Sequence, residues 1–182
     1  MRWLRQNLGF ILFMLGMLAA RSSLADHYVV PSGSMQSTLF PGDRVVVDKR
    51  AYGLRVPFTL AKVTHGEAPA RGDVVVFDAP DDGVRLIKRI VAVGGDVLEV
   101  RQGHAFIDGA AADAKAVLEL SQGGGPDLGP IRVPEGQVFV MGDFRGNSRD
   151  SRYFGFVREE EIYARATRVY WRSGEGFAWR AL

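Results

Sequence analysis

Three stretches of this chain carry side chains whose types and spacing suit acyl transfer. The first is Pro31-Ser32-Gly33-Ser34-Met35. A glycine just before Ser34 allows close backbone approach and unusual dihedrals, as a nucleophile on a tight turn requires. Amides exposed on such a turn can bind a developing oxyanion. The same residues are common turn formers, so this segment alone is equally read as a plain turn. The second is Lys88, within Arg85-Leu86-Ile87-Lys88-Arg89-Ile90-Val91-Ala92. On a strand alternate residues share a face, so Leu86, Ile90 and Ala92 flank Lys88 while Arg85 and Arg89 point the other way. Apolar neighbours desolvate an ammonium group and lower its pKa. A drop of ~2 to 3 units, roughly 3 to 4 kcal/mol, yields a useful fraction of neutral amine near physiological pH. Such an amine can take the proton of a serine hydroxyl. Periodicity alone also admits an edge-strand lysine that snorkels outward. The third is the polar loop Gly142-Asp143-Phe144-Arg145-Gly146-Asn147-Ser148-Arg149-Asp150-Ser151-Arg152. It follows an apolar run and is dense in groups that can orient a catalytic side chain, or simply form a solvated turn. A carboxylic acid and base pair from Asp143 and Asp150 is set aside, since no sugar-binding aromatic pattern accompanies them.

Other chemistries find less support. The chain has no cysteine, which removes disulfides, a thiol nucleophile and thiolate metal sites. Its three histidines, His27, His65 and His104, lie far apart and at no metal-ligand spacing. No metal and no organic cofactor is expected. The net charge is +2 and the arginines are spread along the chain, so nucleic acid is not an expected partner.

The elements that must position these residues read as β. Arg44–Asp48 and Asp73–Phe77 are short β-branched runs beside Gly-Asp or Pro turns. Val84–Val93 reads as a longer strand stopped by Gly94-Gly95-Asp96. Val97–Val100 and Ala105–Ile107 flank Gln102-Gly103 as a hairpin. Gln137–Met141 and Ile162–Trp171 complete the strand candidates. Helix signals are weak beyond the N-terminus: Ala110–Leu120 has room for a turn or two, and Arg158–Ile162 for another. Ser121–Gly136 reads as a Gly/Pro-rich loop. The expected fold is mostly β, an antiparallel catalytic core with a small β side lobe behind one N-terminal transmembrane helix. The expected divisions are a membrane anchor over residues 1–25 and a peptidase domain over 26–182. Within that domain the core covers about 26–95 and 137–182, and the lobe about 96–136.

At the N-terminus, Leu8–Ala20 is an uncharged apolar run preceded by Arg2 and Arg5. It is shorter than the ~20 residues that span a bilayer, unless flanking residues are included and Arg5 and Arg21 snorkel to the interfaces. The basic N-terminus favours a cytoplasmic start. The same run has the length of a cleavable signal, and Ser23-Leu24-Ala25 resembles a small-x-small cleavage site. Both readings export the main domain.

Together the three stretches resemble one family, the bacterial type I signal peptidases, which use a Ser-Lys dyad. PSGSMQSTL resembles its nucleophile motif, GDRVVVDKRAYG and RGDVVVFDAP its following strands, IKRIVAVGGD its lysine motif, and GDFRGNSRDSRYFG its late loop. The matches run in the family's order, from about Tyr28 to Gly155. The resemblance implies that Ser34 attacks the scissile carbonyl and that Lys88 serves as base for Ser34 and then for the deacylating water. It implies that the Ser32 hydroxyl and the Ser34 amide bind the oxyanion and that Ser148 orients the Lys88 amine. Asp150 and Arg152 would brace that arrangement, and Asp143 would support the loop. Val30, Pro31, Met35 and Ile87 would line small pockets suited to Ala-x-Ala sites. The implied partners are signal peptides of exported preproteins and membrane lipid. The chain would act as a monomer, single-pass in a bacterial inner membrane, with its catalytic domain on the extracytoplasmic side and the anchor retained. The chain departs from the family pattern at Ser37, Ala92, Gly94, Phe144 and Gly146, which bears on substrate range. Three alternatives stand beside this reading. One is a dedicated Ser-Lys peptidase for a single secretion or conjugation substrate. Another is a non-catalytic, membrane-anchored β binding module. A self-cleaving repressor-type protein is least favoured, since no DNA-binding helical segment precedes Ser34.

Overall fold

A computed structural model of the chain describes residues 2–23, 25–53, 64, 66–112, 114–119 and 121–182. Helix α1 covers Arg2–Ser23. The strands are β1 (Ala25–Val29), β2 (Arg44–Asp48), β3 (Val74–Asp78), β4 (Arg85–Val93), β5 (Val97–Arg101), β6 (His104–Ile107), β7 (Ala110–Ala111), β8 (Leu128–Arg132), β9 (Gln137–Met141), β10 (Val157–Arg158), β11 (Ile162–Arg172) and β12 (Gly176–Ala181). One short helix, α2 (Ser151–Phe154), follows the late loop. An eight-stranded sheet runs β1-β2-β11-β3-β4-β9-β10, with β12 also paired to β11. A four-stranded sheet runs β7-β6-β5-β8. Every strand pair is antiparallel. The expected mostly β, antiparallel architecture is therefore the observed one.

Strand β3 explains why Val74-Val75-Val76-Phe77 is apolar without alternation. Val74 and Val76 join one core cluster, with Val45 and Val47 of β2 and Ala164, Ala166 and Val169 of β11. Val75 and Phe77 join another, with Ile90, Val138, Val140 and Ile162. A central strand buried on both faces needs apolar residues at every position. A third cluster joins the two sheets: Val91, Ala92, Phe139 and Met141 of the large sheet meet Leu98, Val100, Ala105, Ile107 and Val133. The β5–β6 hairpin turns at Gln102 and Gly103, both with positive φ (51° and 81°), as a two-residue hairpin turn requires.

Several elements differ from expectation. β8 lies inside the stretch read as a Gly/Pro-rich loop. It is an edge strand that pairs with β5 across a register shift, where Pro130 is tolerated. β1 and β12 carry polar or glycine residues that muted their strand signals. The expected helical turn over Ala110–Leu120 does not form among its described residues, which instead provide β7 and turns; Asp113 and Leu120 lie outside the described residues. The turn near Arg158–Ile162 is a short 3-10 helix over Glu159–Glu161.

A helix also forms where the anchor was expected. Among the described residues, however, no helix is long and apolar enough to cross a membrane. The physical reason is length: at 1.5 Å per residue the apolar run Leu8–Ala20 reaches about 20 Å, against a hydrocarbon core of ~30 Å. Leu8, Phe10, Leu12, Phe13, Met14 and Met17 on this helix are exposed. Leu24, the middle residue of the candidate cleavage site, lies outside the described residues.

Candidate active site

Ser34 sits in a 3-10 turn over Gly33–Met35, between β1 and β2. Its neighbours lock the turn to the core. Val30, Met35 and Leu39 are fully buried, and the Leu39 amide donates to the Met35 carbonyl at 2.8 Å. From the opposite side the Phe144 amide donates to the Ser34 carbonyl at 3.1 Å. The Ser34 backbone is thus held both by its own turn and by the late loop. The Ser34 amide belongs to the first turn of this helix, where N–H groups have no intrahelical acceptor.

Lys88 reaches this turn from β4. Its Nζ donates to Ser34 Oγ at 2.5 Å, linking residues 54 apart in sequence. Both side chains are buried, Lys88 at 3% and Ser34 at 6% exposure. Burial pulls the Lys88 ammonium down to about 8, against Asp150 and Asp143, whose charges favour its protonated form. The Ser32 hydroxyl lies 3.3 Å from Ser34 Oγ and donates to it.

The late loop supports the pair through two carboxylates. Asp150 Oδ2 accepts from the Ser148 hydroxyl at 2.7 Å and from the Gly142 amide at 2.9 Å. Arg152 grips the same carboxylate with Nε and Nη2, at 2.8 and 2.9 Å. Neither side chain of this ion pair is exposed. Asp150 also caps α2 by accepting from the Arg152 amide. The Ser148 hydroxyl, expected to bond the Lys88 amine, donates to Asp150, which leaves its lone pairs as acceptors. The Asp150 charge in turn favours protonated Lys88.

Asp143 is the second junction. Arg89 donates to it from Nε and Nη2, at 2.9 and 2.7 Å, and Thr38 Oγ1 donates at 2.5 Å. β4, the segment after Ser34 and the late loop thus meet at one buried carboxylate. Arg89 does point away from Lys88's face, as alternation requires, and it reaches Asp143 there. Arg89, Thr38 and Arg145 were not among the expected site residues. Arg145 is buried; its Nε donates to the Gly142 carbonyl at 3.1 Å and its Nη1 to the Gly103 carbonyl of the β5–β6 turn. A signal for Arg89 was present: a second cation beside Lys88 in an apolar strand must find an acid.

The residues expected to line small pockets are mostly buried. Val30, Met35 and Ile87 belong to the interior cluster of β2, β3 and β11, at 1%, 0% and 3% exposure. Only Ile87 of the three is on a strand; Val30 follows β1 and Met35 closes the 3-10 turn that carries Ser34. Pro31 alone of the four is exposed. Among the described residues no group of acidic or histidine side chains converges as metal ligands.

Comparison with known proteins bears on this site. The family described as signal peptidase, peptidase S26, matches residues 1–171. Probable signal peptidase I-1 of Synechocystis sp. is 35% identical over 174 residues, covering 91% of this chain and 81% of that protein. Signal peptidase I of Pseudomonas fluorescens is 34% identical over 190 residues, covering 84% of this chain and 67% of that protein. Thylakoidal processing peptidase 1, chloroplastic, of Arabidopsis thaliana is 37% identical over 155 residues, covering 83% of this chain and 43% of that protein. A match that takes in the Ser34 turn, β4 and the late loop together makes the chain a serine endopeptidase, and it belongs to the signal peptidase family, peptidase S26.

Proposed function

We propose that this chain removes N-terminal signal peptides from exported preproteins through an acyl-enzyme on Ser34, with Lys88 as general base. The observation that carries this is the buried 2.5 Å contact between Lys88 Nζ and Ser34 Oγ. Neutral Lys88 takes the hydroxyl proton as Ser34 Oγ attacks the scissile carbonyl. The oxyanion is met by the Ser34 amide and, after a small rotation, by the Ser32 hydroxyl. Lys88 then gives its proton to the leaving amine. Neutral again, it activates the water that hydrolyses the ester. Ser148, Asp150 and Arg152 hold the charge around Lys88 fixed through both steps, and Asp143 with Arg89 and Thr38 holds the loop to the nucleophile turn. Val30, Met35 and Ile87, buried beside the Ser34 turn, would with exposed Pro31 bound pockets for small side chains such as alanine.

The test is preprotein processing by the wild type, Ser34→Ala and Lys88→Ala. Each variant should lose at least about 10³-fold in kcat, as removal of a nucleophile or its base does elsewhere. Normal cleavage by both would sink the reading.

The same proposal sets α1 in the membrane as a retained single-pass anchor. Arg2 and Arg5 would lie on the cytoplasmic side and the peptidase domain outside. Flanking residues would make up the length that Leu8–Ala20 lacks, by snorkelling and local bilayer thinning. Membrane lipid would also meet the row across the large sheet that exposes Val29, Trp171 and Phe177. Sequencing the mature N-terminus separates an anchor from a cleaved signal. A dedicated peptidase is the second reading, favoured by Phe144 being buried where the family pattern has a polar residue. Cleavage of several unrelated preproteins would rule it out.

A further inference from the structure

Strand β4 has two neighbours over only part of its length. It pairs with β9 from Arg89↔Met141 to Val93↔Val138. Its first half, through Lys88↔Val75, pairs with β3 alone. Lys88 therefore stands at a fork: β9 ends at Met141, and the chain turns into the loop that carries Ser148 and Asp150. The backbone ladder cannot hold that loop against the first half of β4.

A side-chain clasp reaches across the fork. Arg149 reaches to the tip of the β3–β4 hairpin, where its Nη2 donates to Asp81 Oδ1 at 2.6 Å and to Asp82 Oδ2 at 2.7 Å. The tip is itself ordered: the Val84 amide donates to Asp82 at 3.0 Å, and Arg85 pairs with Asp78 at 2.8 Å. The three side chains of the clasp are 41–46% exposed, so it adds little to global stability. Its leverage is positional. Ser148 and Asp150, on either side of Arg149, are buried. Fixing the outward residue fixes its two inward neighbours.

We propose that Arg149 is a positioning residue which, by clasping Asp81 and Asp82, locks the late loop to the β3–β4 hairpin and so sets the Ser148–Asp150 unit against Lys88. The proposal rests on reading Ser34 and Lys88 as the dyad. Four charged groups act on the Lys88 amine: Asp150 and Asp143 favour its protonation, and Arg152 and Arg149 oppose it. Removing Arg149 thus loosens the loop and also withdraws a charge that favours the neutral form of Lys88.

The experiment uses the full chain and a preprotein substrate. In Arg149→Ala, kcat should fall about tenfold, a modest share of what misplaced catalytic groups lose. KM should stay within about twofold, since uniform binding is untouched. The acid limb of the pH–kcat profile should move to higher pH. Arg149→Lys keeps the charge but not the fork, so it should restore the acid limb and only part of the rate. The double variant Asp81→Asn with Asp82→Asn should lose rate as Arg149→Ala does, without the upward shift of the acid limb. Wild-type kcat and pH profile in Arg149→Ala, or wild-type rate in the double variant, would overturn the proposal. So would a loss of rate in step with a fall in Tm, which would make the clasp merely structural. An inactive Ser34→Ala beside a fully active Arg149→Ala sinks the clasp alone; an active Ser34→Ala sinks both readings.

Discussion

An amine whose pKa is pulled down to about 8 is still mostly protonated at pH 7. Only roughly one molecule in ten then holds Lys88 as a competent base. Activity should therefore climb through an acid limb centred near pH 8, and a pH–kcat/KM profile checks this. A limb centred below pH 6 would point to a different base. The same burial makes Lys88 a liability for folding. Its folded pKa lies below the ordinary lysine value, so between about 8 and 10.5 the unfolded chain binds the extra proton. Stability should rise with pH across that window, and below it the full cost, roughly 3 kcal/mol, is felt. Lys88→Met should abolish cleavage yet raise stability at pH 7 by about 1 to 3 kcal/mol, measurable as a higher denaturant midpoint. An unchanged or lower midpoint would mean that the charge is better solvated than its burial implies. The proposed dyad was only partly legible in the chain. Ser34 and Lys88 each gave a weak local signal, and the order of the motifs around them made the joint reading. Thr38 and Arg89 were missed because their meaning lies in Asp143, a partner set by tertiary packing rather than by spacing.

β9 and the loop after it must pass within van der Waals distance of the nucleophile turn, and Gly142 permits this. A Cβ there would strike the Ser148 hydroxyl and lie 2.5 Å from the Ser34 carbonyl oxygen. The carbonyl is backbone and cannot move aside. Gly142→Ala should thus push β9 away from the turn, stretching the Phe144-to-Ser34 hydrogen bond and displacing Ser148 from Asp150. It should cost about 1 to 3 kcal/mol of stability, as overpacking of a tight interior does. It should also lower kcat more than about tenfold, as catalytic misplacement does. Thermal unfolding and single-turnover cleavage would read the two effects separately. Wild-type values of both would mean that the close approach has no consequence. The strands themselves were mostly legible: β2, β4, β9 and β11 stand where β-branched runs placed them, and β3 is displaced by one residue. What hid β8 and β12 was context. Leu128-Gly129-Pro130 reads as loop by composition, and only the waiting edge of β5 makes it a strand. Gly176–Ala181 exposes Phe177 and Trp179 where a globular strand would bury its apolar side.

Those exposed aromatics matter at the scale of the whole molecule. The register aligns Val29 of β1, Arg44 of β2, Trp171 of β11 and Phe177 of β12 in one row across four strands. Paired residues on neighbouring strands share a face. Val29, Trp171 and Phe177 are 49%, 44% and 77% exposed, and Trp179, two residues on, is 58% exposed. Arginines sit over these rings, Arg44 at 6.0 Å from the Trp171 centroid and Arg168 at 5.3 Å from Trp179. Tryptophan beside arginine suits a membrane interface, where the ring enters the headgroup layer and the guanidinium meets phosphate. β1 follows α1 almost directly in the chain, so the row and the helix sit at neighbouring positions in sequence. Leu8–Ala20 alone is too short to span the hydrocarbon core, and a second contact with lipid would share the work of anchoring. In a full-length variant whose only tryptophan is Trp179, made with Trp3→Phe and Trp171→Phe, lipid vesicles should shift the emission to the blue and shield it from an aqueous quencher. Replacing Phe177 with Ser should weaken vesicle binding by about 1 to 3 kcal/mol, the value of one large apolar side chain leaving water. Emission of Trp179 that ignores vesicles would place this row in water.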